Sequence, residues 1–82
     1  MNNQLLRRAM HNPDEFAIEL DYSDSEGNQT HRTVSPIRFV GKDRFLALCL
    51  VREEPRQFYL RRCENLKLIS SADILMPSAI GA

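Results

Sequence analysis

The stretch Pro55–Leu66, PRQFYLRRCENL, sets Arg56, Arg61 and Arg62 around the apolar residues Phe58, Tyr59 and Leu60. A guanidinium is a rigid planar fork of donors, suited to bidentate pairing with carboxylate or phosphate and to stacking on flat rings. Nine of the eleven basic residues are Arg and only two are Lys, a choice that solubility alone does not require. On an ideal strand Arg56, Phe58, Leu60 and Arg62 share one face, and Gln57, Tyr59 and Arg61 share the other. If Phe58 and Leu60 point into a core, Arg56 and Arg62 emerge at the two ends, about 20 Å apart on a straight strand. One small anion cannot bridge that gap, whereas an extended polyanion has no need to. Arg32 is a third guanidinium of this kind. Tyr22 and Tyr59 are rings on which bases can stack, since an aromatic face tolerates any base. The alternative chemistry is structural. Arg32, Arg56 and Arg62 then pair with Glu19, Asp21 or Glu64 and pin strand ends, and the tyrosines are amphipathic residues at the core's edge.

Other chemistries find less support. A nucleophile needs a base within hydrogen-bond reach, and neither His11 nor His31 has a recognisable partner, so no catalytic residues and no enzyme are expected. Cys49 and Cys63 form no CxxC pair and lack metal-ligand spacing from either histidine, so no metal and no cofactor are expected. Both cysteines are expected to be reduced thiols, because no secretory h-region is visible in MNNQLLRRAMHNP and the default compartment is the cytoplasm. The longest nearly uncharged apolar run, Phe45 to Val51, is too short to span a bilayer, and no membrane association is expected.

The elements that must position the arginines follow from the pattern. Eighty-two residues make one domain with a small core. Net charge is zero, yet residues 1–31 balance at −4 and residues 32–67 at +5, with Asp73 making up the rest. Leu5, Leu6, Ala9 and Met10 share one helical face, and Asn12-Pro13 ends the helix, which is placed within residues 2–12. Arg7 and Arg8 fall on its solvated face. Phe16, Ile18, Leu20 and Tyr22 alternate with polar residues as a strand, and SDSEGNQ is turn chemistry. Thr30 to Val40 is a second strand with a bulge or bend at Ser35-Pro36. Phe45 to Val51, apolar on both faces, is a strand covered on both sides, with the helix on one. The arginine-flanked strand follows, then a single turn at Cys63-Glu64-Asn65, and a last strand from Leu66 to Ile69 that continues over 72–75. The expected core contains Phe16, Ile18, Leu20, Leu46, Leu48, Phe58, Leu60 and Leu68. The expected fold class is mainly β (α+β): the helix and five antiparallel strands closed into a small barrel, which removes exposed edges.

The order LDYSDSEGNQTHRTVSP, DRFLALCL and RQFYLRRCENLKLI resembles the WYL domain of bacterial regulatory proteins. Tyr22, Gly27, Arg32, Val34, Pro36, Arg56, Phe58, Leu60 and Arg62 fall in order on that family's positions, across about residues 16–70. Phe45-Leu46-Ala47 stands where the family has Trp-Tyr-Leu, and Arg61 stands where it often has an acid. The resemblance implies an Sm-like barrel and a transcription-regulatory, ligand-sensing role, with single-stranded nucleic acid or a nucleotide as ligand. The expected domain layout is a helix at 1–13, a WYL-like barrel at 14–76 and a loose tail at 77–82, standing alone where the family usually follows a helix-turn-helix module. The implied ligand-binding residues are Arg32, Arg56, Arg62, Tyr59 and Tyr22. The alternative function is a protein–protein interaction domain, docking a regulator protein or a second copy in a homodimer, with the arginines as salt-bridge partners.

Overall fold

In the computed structural model, residues 3–50 and 53–72 are described. The expected strand continuation over 73–75, the domain end at 76 and the tail at 77–82 lie outside them. The helix, α1, spans Asn3–His11. Leu6 and Ala9 are fully buried and Leu5 and Met10 pack at the core's margin, which is the apolar face set by their spacing. Asn12 ends it: its backbone N–H and its side-chain amide both donate to the Arg8 carbonyl, at 3.1 and 3.0 Å. The helix rests on the first, second and fifth strands.

Those strands are β1 (Phe16–Ser23), β2 (Gln29–Val40), β3 (Arg44–Cys49), β4 (Glu54–Tyr59) and β5 (Cys63–Ser70), in one antiparallel sheet of order β4-β3-β2-β1-β5. The β1–β2 turn is built by Asp24, whose Oδ1 accepts the N–H groups of Glu26 and Asn28, both at 2.9 Å. Gly27 completes it at φ 87°, a conformation that costs glycine nothing. The irregularity expected near Ser35-Pro36 is a register shift between Pro36 and Arg38 in the β2–β3 pairing, and it leaves Ile37 exposed.

Three expectations are corrected. First, β3 alternates: Phe45, Ala47 and Cys49 are buried, whereas Leu46 and Leu48 are only half-buried. The helix lies over β1, β2 and β5 rather than β3. A continuous apolar run carries no alternation to set its parity, and a slip of one residue exchanges the faces. Second, the single turn comes earlier. A 3₁₀ turn occupies Leu60–Arg62, and Cys63-Glu64-Asn65 belongs to β5, with Asn65 at φ 54° where the β1–β5 register shifts. Phe58 is buried in the core, while Leu60 is a half-buried turn residue packed against it.

Third, the sheet is not closed into a barrel. Edges β4 and β5 share no backbone ladder among the described residues. Five is an odd number, so a sheet in which every neighbouring pair is antiparallel leaves its two edges running the same way. A parallel pair needs a crossover of roughly a dozen residues. A three-residue turn can only carry β4 end to end into β5. It does bend the sheet strongly, because the edges of a flat five-stranded sheet would lie about 19 Å apart. Two side-chain bonds hold the seam: the Tyr59 backbone N–H donates to the hydroxyl of Tyr22 on β1 at 3.2 Å, and the Cys63 thiol donates to the Tyr59 carbonyl at 3.4 Å.

Candidate anion-binding site

The β1–β2 register pairs Ile18 with Val34, Leu20 with Arg32 and Tyr22 with Thr30, so these residues share one face. Ile18, Leu20 and Val34 lie in the core, and Tyr22, Thr30 and Arg32 continue that face toward the turn. On β4 the Phe58 face contains Arg56 two residues earlier. Bending of the sheet brings the two faces together around a cleft of about 220 Å³ lined by Tyr22, Asp24, Thr30, Arg32, Arg56, Gln57 and Phe58. Tyr22 meets Phe58 edge-on, with centroids 5.0 Å apart, and Phe58 stacks on Phe45 at 5.5 Å. An aromatic floor thus lies beneath a polar rim.

The guanidiniums at this rim are weakly engaged. Arg32 Nε donates to Thr30 Oγ1 at 2.9 Å and has no ion-pair partner among the described residues. Arg56 Nε lies 4.0 Å from Glu54 Oε1, an exposed contact of the kind that contributes little. Of the acids that could have pinned these arginines, Asp21 and Glu19 are otherwise occupied, and Glu64 forms no ion pair among the described residues. Asp21 Oδ1 faces His31 Nδ1 at 3.0 Å and Asp21 Oδ2 accepts from Asn65 at 2.9 Å, while Glu19 lies 3.7 Å from His31. The Asn65 bond, followed by that of His31, holds the Asp21 carboxyl below its ordinary range. Asp24, in the cleft wall, is also held low, first by the Asn28 N–H and to a smaller extent by the charge of Arg62.

Arg62 and Tyr59, the other two residues expected in a site, lie beside the cleft rather than in its lining. Tyr59 is half-buried at the end of β4, and the Arg62 guanidinium carbon is 5.0 Å from its ring centroid. Arg61 and Arg44 approach the same ring, at 5.6 and 5.7 Å. Arg44 was not singled out in the sequence. It arrives through the β3–β4 register, which pairs it directly with Tyr59, and its Nη1 donates to Gln57 Oε1 at 3.2 Å. No sequence pattern links residues fifteen apart without that register. Helix residues Arg7 and Arg8 are exposed, as expected, but also lie over the rings of Phe39 and Phe16, at 5.7 and 5.9 Å.

Cys49 and Cys63 are both buried, with no disulfide between them. Cys63 Sγ donates to the Tyr59 carbonyl at 3.4 Å, and burial pushes its thiol up to about 12. Among the described residues no three His, Cys, Asp or Glu side chains gather as a metal site, and no helix is long and apolar enough to cross a membrane.

Fold and site together define a small α+β module, an open, bent five-stranded sheet backed by one helix, with arginines and a tyrosine at its mouth. The chain belongs to the WYL domain family, whose pattern its sequence matches over residues 3–68. Among solved structures it is similar to proteasome accessory factor B/C (PafBC) of Arthrobacter aurescens, with a TM-score of 0.66 and 24% identity. The match covers 87% of this chain and 12% of that one, so the likeness is one of fold over a small part of a much longer protein. No curated protein matches the sequence.

Proposed function

We propose that this WYL domain is a regulatory, ligand-sensing module that binds a single-stranded nucleic acid or nucleotide-like anion at the mouth of its bent sheet. The observation that carries the reading is the convergence of Tyr22, Arg32 and Arg56, from three strands, on one cleft with an aromatic floor. Arg32 and Arg56 supply donors to phosphate oxygens, and Arg62, over the Tyr59 ring, extends the positive field along one side. Half-buried Tyr22 offers ring surface to a base or sugar, and buried Phe58 packs behind it. Tyr59 holds Arg62 in place through its ring. The role is binding, with no chemical step.

The test is titration of the purified domain with a short single-stranded oligonucleotide at two salt concentrations. Each neutralised phosphate contributes a slope of about −0.7 to log K against log [salt], so three contacts give a slope near −2. Alanine at Arg32, Arg56 or Arg62 should remove about one contact each, whereas alanine at exposed Lys67 should leave the slope unchanged. Absence of binding at low salt would transfer support to the second reading, a protein-docking module. The two open sheet edges favour that alternative. Against it, β4 carries Pro55 and charged Glu54 and Arg56, residues that discourage pairing at an edge.

A further inference from the structure

A second concentration of positive charge surrounds Tyr59, outside the cleft lining. Three guanidinium carbons, those of Arg44, Arg61 and Arg62, lie 5.7, 5.6 and 5.0 Å from one ring centroid. A ring attracts a cation over its face through its quadrupole, but it carries no charge to neutralise one. The acid in ion-pair contact with this group is Asp43, whose Oδ1 is 3.4 Å from Arg44 Nε, and Gln57 holds the same arginine without adding charge. Arg61 and Arg62 form no ion pair among the described residues. The cluster therefore keeps a net positive charge and several undirected donors. The centre they share is the ring itself, so an anion has its place at the ring's margin, where forked donors suit a group with several anionic oxygens. With guanidiniums over the Tyr59 ring, its role is that of a platform for arginines rather than an open stacking face for a base.

The cluster is continuous with the cleft through Gln57, which lines the cleft and accepts a hydrogen bond from Arg44. Arg56 and Tyr59 are three residues apart on β4, about 10 Å, beyond the reach of a single phosphate. Resting on the reading given above, we propose that Arg44, Arg61 and Arg62 on the Tyr59 platform form a second phosphate locus. The ligand is then a phosphodiester strand running from the mouth cleft to Tyr59, not a mononucleotide.

The experiment compares two probes, thymidine monophosphate and a single-stranded oligothymidylate of about a dozen nucleotides, a length within the usual single-strand site range. Binding is measured against salt for the wild type, R44Q/R61Q, R44K/R61K and R32Q/R56Q, with thermal melting as the check on folding. The proposal expects R44Q/R61Q to make the oligonucleotide slope shallower by about 1.4, two contacts' worth, and to leave monophosphate affinity unchanged. R44K/R61K, which keeps the charge, should restore most of the slope. An unchanged oligonucleotide slope in R44Q/R61Q overturns the second locus and leaves the cleft reading standing. Conversely, the cleft reading fails and the Tyr59 locus survives if R32Q/R56Q binds both probes normally while R44Q/R61Q loses slope. Should the double variant melt early, R61Q alone decides, because Arg61 is exposed; a slope shallower by about 0.7 supports the locus and none refutes it.

Discussion

At the scale of single residues, what matters is which charges are satisfied. Glu19 and Asp21 face His31, which lies on the outer side of the hairpin, so neither acid pairs with Arg32 or Arg56. Asp21 carries a measurable signature of this. Its carboxyl is held low chiefly by Asn65, so N65A should move the Asp21 titration back toward 3.8 when followed by carboxyl NMR. Because the folded value is the depressed one, this contact's contribution to stability is present above about pH 3.8 and is lost as pH falls below it. Cys63 behaves in the opposite sense. Its folded value, about 12, lies above the ordinary thiol value of 9.0, so burial favours the protonated thiol in the fold. That contribution is intact below pH 9 and declines as pH rises toward 12. C63A should therefore flatten the part of the alkaline stability loss that begins near pH 9, and native Cys63 should resist iodoacetamide at neutral pH while reacting after denaturation. Rapid native alkylation of Cys63 would show that its thiol is neither buried nor neutral.

Among the elements, the seam between β4 and β5 is the most informative. The 3₁₀ turn carries the chain from one edge of the sheet to the other, and the Tyr22 hydroxyl accepts the Tyr59 N–H where no strand pairs. Y22F removes that acceptor and leaves a part-buried N–H unsatisfied. The expected cost is about 1 kcal/mol, or roughly 4–8 °C in Tm for a domain of this size. Amide exchange should quicken at Tyr59, while Leu60, whose N–H donates to the Asp43 carbonyl at 2.8 Å, should change less. Equal exchange in Y22F and the wild type would mean that this bond does not hold the seam. The same variant keeps the aromatic floor of the cleft, since the ring that meets Phe58 remains.

For the whole molecule, one small core must hold both an open sheet and its helix. Leu6 is completely buried among residues of the sheet, and L6A should cost about 2–5 kcal/mol. Small domains have about 5 kcal/mol in total, near the lower limit for folded proteins, so this variant should be largely unfolded by circular dichroism at 37 °C. What could be known before folding follows from where water imposes a pattern. Helix α1 and strand β1 were legible because one face of each is wet, which forces the 3.6- and 2-residue periods. The Asp24 turn and the interruption near Pro36 were legible because their chemistry is local. Tyr22, Arg32 and Arg56, with Arg62 and Tyr59, were singled out from residue type and family resemblance, and that the first three line one cleft follows only from the bend of the sheet. Three other things were not legible. The parity of β3 is undetermined in an apolar run, and only its pairing with β2 and β4 turns Phe45 rather than Leu46 inward. Closure of the sheet depends on strand count and connection length acting together, so it has no signature in any one segment. The arrival of Arg44 at Tyr59 follows from cross-strand register, a relation between distant residues that exists only once the sheet has formed.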